Sequence, residues 1–144
     1  MKKIVMIEDN EDHALLIRRG IEGPNCSISH YSDGHEALKA CEQIRNFEER
    51  PDLILLDLQL PGINGFEILK SIKKMDLLLY TPIVMLTTSA RRAEIEQAYQ
   101  FGADGYVVKS DDFSVFIAKL KSVKDYWLSV VESSYQSSSP ARTP

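Results

Sequence analysis

The chain has 144 residues, of which 44% are hydrophobic and 26% charged, enough apolar material for one globular domain of ordinary size. Its formal net charge of −4 excludes a general nucleic-acid or membrane-surface binder, since both need a basic field. No window approaches the roughly 18 consecutive apolar residues of a membrane span.

In chain order, a first strand is predicted at about 3–8, where Ile4-Val5-Met6-Ile7 runs straight into Glu8-Asp9. Two lysines precede it, but the apolar run is too short for a signal peptide. A helix at about 12–22 follows, closed by Gly23-Pro24-Asn25. The second strand, about 27–31, alternates through Ser27, Ile28, Ser29, His30 and Tyr31, which places it at a sheet edge. Asp33-Gly34 opens a helix predicted over about 34–47, with Ala37, Leu38, Cys41, Ile44 and Phe47 on one face. Leu53-Ile54-Leu55-Leu56 then runs into Asp57 in a strand at about 52–57. Pro61-Gly62-Ile63-Asn64-Gly65 makes a compact loop, with Asn64 the expected N-cap of a helix at about 65–75. A fourth strand at about 82–87 ends on Thr87, and a helix at about 90–100 ends at Gly102-Ala103-Asp104-Gly105. The fifth strand, about 104–108, runs into Lys109, and a last helix is predicted over about 112–131. From Ser133 the chain is polar and rich in Ser and Pro, so the reading is one domain over 1–132 and a disordered tail over 133–144. Five strands alternating with five helices imply an α/β fold whose parallel sheet is covered on both faces. The nearly all-aliphatic third and fourth strands fit two-sided burial. Cys26 and Cys41 lack CxxC spacing or nearby histidines and read as reduced thiols of a cytoplasmic protein.

Strands that stop on carboxylates put them at the carboxyl edge of the sheet, where open α/β folds bind their ligands. If their strands are neighbours, Glu8, Asp9 and Asp57 converge. Three like charges so close are costly without a divalent cation among them. An all-oxygen set suits Mg²⁺ better than Zn²⁺. Thr87 and Lys109 reach the same edge, and a metal pocket flanked by a hydroxyl and a fixed cation suits a phosphoryl group. In this reading Asp57 is the nucleophile, Asp9 a direct metal ligand and Glu8 a ligand through water. The backbone carbonyl of Gln59 turns back toward the same ion, and Lys109 and Thr87 contact phosphoryl oxygens.

The runs Ile7-Glu8-Asp9-Asn10, Leu55-Leu56-Asp57-Leu58-Gln59-Leu60-Pro61-Gly62, Asn64-Gly65, Leu86-Thr87 and Gly102-Ala103-Asp104-Gly105-Tyr106 through Lys109 resemble the receiver domain of two-component response regulators. The resemblance covers about residues 2–131 and implies a flavodoxin-like sheet of order 2-1-3-4-5. It also implies that Asp57 is phosphorylated from a phosphohistidine of a sensor histidine kinase with Mg²⁺ held by Glu8 and Asp9. Thr87 and Tyr106 would form the switch pair. Two departures stand out. Ser110 follows Lys109 where the family usually has proline, so a trans bond is expected there. Thr88 stands where a small residue is usual and narrows access to Asp57.

The stretch past the last helix is too short for an independent core, so a single-domain regulator is expected, with a protein contact as its output. The last helix carries Phe113, Phe116, Ile117, Leu120, Val123, Trp127, Leu128 and Val131 as a long apolar stripe. Phe113, Phe116, Tyr126 and Trp127 are the candidate homodimer contacts, with Trp127 folded back on its own domain as the plainer alternative. The Thr87-Thr88-Ser89 run, Lys109-Ser110 and the late Tyr-Trp-Leu further resemble small regulators paired with phytochrome-type histidine kinases, which dimerise through the fourth helix, fifth strand and fifth helix. The competing readings are a phosphorelay shuttle to a histidine phosphotransfer protein and a scaffold that works without phosphorylation. An aspartate-nucleophile phosphatase is disfavoured by Gln59, which stands where such an enzyme needs an acid. His13, His30 and His35 have no ligand spacing and read as surface or structural residues, and Arg91-Arg92 as a solvated pair.

Overall fold

The computed structural model describes residues 1–130. Five parallel strands, β1 (Lys2–Ile7), β2 (Cys26–Tyr31), β3 (Leu53–Asp57), β4 (Ile83–Thr87) and β5 (Gly105–Val108), form one sheet of order β2-β1-β3-β4-β5. The helices are α1 (Glu11–Ile21), α2 (Gly34–Glu42), α3 (Gly65–Lys73), α4 (Arg92–Gln100) and α5 (Phe113–Asp125). This is the doubly wound architecture expected of the strand and helix alternation.

Period-two alternation along each strand separates two cores. Ile7, Ile54, Leu56, Ile83 and Met85 pack on one face beneath α2 and α3. Ile4, Met6, Leu53, Leu55, Val84 and Leu86 pack on the other beneath α1 and α5. Every residue of β3 and β4 is buried, whereas β2 alternates as an edge strand does. The helices are started by the residues their sequences supply. Asn10 Oδ1 accepts from His13 N–H at 3.0 Å, Asp33 from His35 at 2.7 Å, Asn64 from Phe66 at 2.7 Å and Asp112 from Ser114 at 3.0 Å. In α4 only Ala98 is buried and the N-cap residue, Arg91, makes no side-chain capping bond, so this helix is held more lightly than its neighbours.

Two boundaries differ from the sequence reading. The helix predicted to 47 ends at Glu42, and Phe47 opens a separate 3₁₀ turn, Phe47–Glu49. Asn46 adopts an extended conformation and its Oδ1 accepts from Glu49 N–H at 3.0 Å. An asparagine that caps a new turn stops the helix before it. Phe47 is therefore not on the buried face but 54% exposed, under the Arg50 guanidinium at 4.0 Å. The last α-helix closes at Asp125 and widens into a π-helical turn, Tyr126–Val130; Val131 and the tail lie outside the described residues.

Both cysteines are free and buried, and burial pushes the Cys41 thiol up to about 11. The Lys109-Ser110 bond is trans, as all peptide bonds are among the described residues. No helix among them is long and apolar enough to cross a membrane.

Gly65 opens α3 directly behind the β3 edge. A Cβ there would stand 2.6 Å from Leu58 Cα and 2.7 Å from the carbonyl oxygens of Asp57 and Leu58. These are backbone atoms and cannot swing aside. Gly65→Ala is expected to lower stability in urea unfolding by about 2–3 kcal/mol. Gly23→Ala, with nothing within 4 Å of the added methyl, should unfold as the wild type does.

Candidate functional site

Sheet register assembles the site. Ile7 pairs with Leu56, so the next residues, Glu8 and Asp57, lie level where the strands end. Asp57 pairs with Leu86 and Thr87 with Val108, which brings Thr87 and Lys109 to the same edge. Of these residues Glu8, Asp57, Thr87 and Lys109 are buried, while Asp9 faces solvent. One carboxylate oxygen from each of Glu8, Asp9 and Asp57 lies within 4.8 Å of the others. Three hard oxygens at that spacing fit a divalent cation such as Mg²⁺ or Mn²⁺.

The Lys109 ammonium stands between the acids. It donates to Glu8 Oε1 at 2.6 Å and to Asp57 Oδ2 at 3.0 Å. Asp57 is held on its other oxygen by the Gln59 N–H, at 2.8 Å from Oδ1. Glu8 Oε2 accepts from Asn10 N–H at 3.2 Å. Burial, reinforced by the neighbouring Asp57 carboxylate, pushes the Glu8 carboxyl up to about 7, with Lys109 opposing the rise.

Beside the acids is a second layer built on Ser89. Its N–H donates to Thr87 Oγ1 at 3.1 Å, and its carbonyl accepts from the Tyr106 hydroxyl at 3.0 Å. Its own hydroxyl bonds Glu94 of α4 and accepts from Arg91 N–H at 3.2 Å. Burial, with Glu94 nearby, pushes the Tyr106 phenol up, so it remains a donor. Thr88 Oγ1 donates to Gln59 Oε1 at 3.2 Å, joining the loops after β4 and β3. Gln59, Thr88, Ser89, Ala90, Arg91 and Glu94 line an open polar depression there. Arg92 pairs with Glu96 on the exposed face of α4 at 3.0 Å.

Two histidines that the sequence reading left as surface or structural residues reach this site. His30 Nε2 lies 2.7 Å from the Glu8 carbonyl oxygen, and His13 Nδ1 lies 3.1 Å from Lys109 Nζ. The available signal for His13 was its place in the first turn of a helix capped by Asn10, immediately after the acidic pair. Its contact with Lys109 spans 96 positions of sequence and had no local signature. His35 is exposed, as expected.

The candidate dimer residues separate. Phe116 is fully buried in the core beneath α1 and α5, a correction to its reading as a contact, because a side chain with no surface has nothing to offer a partner. Phe113 is half-buried and packs edge-on against Phe116 at 4.8 Å. Trp127 packs on the same core, which is the plainer of its two readings. Tyr126, edge-on to Trp127 at 5.1 Å, is 53% exposed.

The raised Glu8 carboxyl has a consequence for stability. The folded chain holds a proton on Glu8 between pH 4.5 and about 7 that the unfolded chain has lost, so stability falls as pH rises through that window and the loss is complete above it. Glu8→Gln removes this slope. In metal-free thermal unfolding the variant should match the wild type at low pH and melt progressively higher than it up to about pH 7, with a constant gap beyond.

Comparison with known proteins agrees with this geometry. Residues 4–121 match the response regulator receiver domain family. A probable methanogenesis regulatory protein, FilR2 of Methanothrix harundinacea (strain 6Ac), is 35% identical over 131 residues, covering 87% of this chain and 83% of that one. The phosphorylated cyanobacterial phytochrome response regulator RcpA superposes with a TM-score of 0.83 at 33% identity, covering 92% of this chain and 97% of that one. The Mn²⁺-bound form of the response regulator Rcp1 superposes with a TM-score of 0.82 at 28% identity, covering 92% and 99%. With its parallel sheet, its acidic edge and the buried lysine between the acids, the chain belongs to the response regulator receiver domain family of two-component signalling.

Proposed function

We propose that Asp57 accepts a phosphoryl group from a sensor histidine kinase with Mg²⁺ as cofactor, and that the chain signals through protein contacts that depend on this modification. The observation that carries the reading is the Lys109 ammonium placed on Asp57 Oδ2 at 3.0 Å within a cluster of three acidic side chains. A carboxylate oxygen of Asp57 attacks the phosphorus of a phosphohistidine, the N–P bond breaks, the imidazole leaves with its electron pair, and an acyl phosphate forms. Glu8, Asp9, Asp57 and the Gln59 carbonyl would hold the metal, whose bound charge offsets the anionic charge gathering at phosphorus. Lys109 moves from the Asp57 carboxylate to a phosphoryl oxygen, and Thr87 gives up the Ser89 N–H to donate to another. The similarity to Mn²⁺-bound Rcp1 and to phosphorylated RcpA supports the metal and the modification.

The switch follows from the same contacts. Thr87 and Tyr106 are both bonded to Ser89, and Ser89 is bonded to α4 through Glu94. Drawing Thr87 toward a phosphoryl group releases the loop that positions Tyr106 and a lightly packed helix. Gln59 is an amide engaged by Thr88 and offers no acid or base, so the chain forms and loses its own acyl phosphate without turning over a separate substrate. The likeness to RcpA supports a phytochrome-type kinase as the partner, and free buried thiols fit the cytoplasm. Exposed Tyr99 on α4 and Tyr126 at the end of α5 support a homodimer through α4, β5 and α5.

Incubation with Mg²⁺ and acetyl phosphate should add one phosphoryl group by intact mass, absent in Asp57→Asn; no adduct on the wild type leaves the scaffold reading. Light scattering should show a dimer that Tyr126→Ala weakens about tenfold, roughly 1.4 kcal/mol. A chain that stays monomeric while phosphorylated favours the shuttle instead.

A further inference from the structure

We infer that His13 is a positioning residue for the Lys109 ammonium: its Nδ1 holds the third N–H of the amine and keeps it from collapsing onto Glu8. The inference rests on Asp57 being the phosphoryl acceptor.

A lysine ammonium has three donors and no acceptor. Two of them go to Glu8 Oε1 at 2.6 Å and Asp57 Oδ2 at 3.0 Å, and the remaining near neighbour is His13 Nδ1 at 3.1 Å. Because the ammonium can only donate, Nδ1 must carry the lone pair, which makes the ring neutral with its proton on Nε2. The ring is not free to leave. Its backbone is fixed by the Asn10 cap at 3.0 Å, and its face stacks on Phe113 with centroids 5.0 Å apart and planes 30° from parallel. Phe113 in turn rests edge-on against the buried Phe116. The imidazole is thus wedged between the first turn of α1 and the first turn of α5, with its acceptor directed at the amine.

The consequence lies in what Lys109 does when phosphorus arrives. The amine must release Asp57 Oδ2 and take a phosphoryl oxygen, while Glu8, buried and at the shorter distance, draws it away. A second acceptor on another side holds the ammonium in place and leaves one N–H for the incoming group. The charged groups facing the ring are Lys109 after β5, Asp57 at the end of β3, Asp9 after β1 and Asp12 on α1, while Phe113 on the α5 side is uncharged. Burial first, and then Lys109, hold the imidazole below its usual value against the pull of the three aspartates, so the acceptor form persists at neutral pH.

The test compares the full-length wild type with His13→Leu and His13→Asn, using acetyl phosphate at saturating Mg²⁺ and intact mass as readout. Leucine keeps an apolar contact for Phe113 but has no acceptor. Asparagine places Oδ1 where Nδ1 stands. His13→Leu should lower the maximal rate about tenfold with little change in half-saturating donor, and His13→Asn should recover most of it. ¹⁵N NMR of the wild-type imidazole should show the Nε2–H tautomer at neutral pH, a readout that does not depend on activity or on any variant folding. Equal maximal rates in His13→Leu and wild type, or an Nδ1–H tautomer or imidazolium at neutral pH, overturn the inference. A wild type that takes no phosphoryl group overturns the acceptor reading beneath it, whatever the tautomer.

Discussion

A buried ammonium between two buried carboxylates is the arrangement to which the rest of the molecule answers. Lys109, Glu8 and Asp57 come from three strands, and each would be costly to bury alone. Burial first, and then the neighbouring Asp57 carboxylate, raise the Glu8 carboxyl, with Lys109 opposing the rise. The carboxylate oxygens of Glu8, Asp9 and Asp57 that converge at this edge fit a divalent cation.

The sheet makes the arrangement possible. Parallel strands in register bring their carboxyl ends to one line, so residues far apart in sequence meet without a long loop carrying any of them. The two apolar layers beneath fix that line, and Gly65 lets α3 start close against the backbone of Asp57 and Leu58. The same rigidity is missing on one flank. α4 has one buried residue, and its start depends on polar contacts to Ser89, the residue that also binds Thr87 and Tyr106. The site is thus set in fully buried strands beside a lightly packed helix.

The opposite flank is built differently. α1 and α5 pack closely across Gly20 and Ile117, and His13 and Phe113 stack at the end nearest the site. Apolar packing there continues through Phe116 and Leu120 to Trp127, so the lysine that contacts both acids is braced from a well-packed side. The α1–α5 side is thus well packed where the α4 side is lightly held.

Much of this was legible in the sequence, because it depends on short periods. Aliphatic runs ending on Asp57, Thr87 and Lys109 declared both the strands and the edge where they stop, and Asn10, Asp33 and Asn64 declared where helices begin. Local chemistry misled where a competing cap was available, at Asn46, and where a residue of the apolar stripe was read as a partner contact although the fold covers it, at Phe116. The tertiary structure alone decided the contacts without a period. His13 meets Lys109, and His30 meets the Glu8 carbonyl, because α1 and α5 cross and β1 lies beside β2. A sequence determines which face a residue occupies through the pitch of its own element, whereas which two faces meet is set by packing whole elements together, and no single segment encodes that.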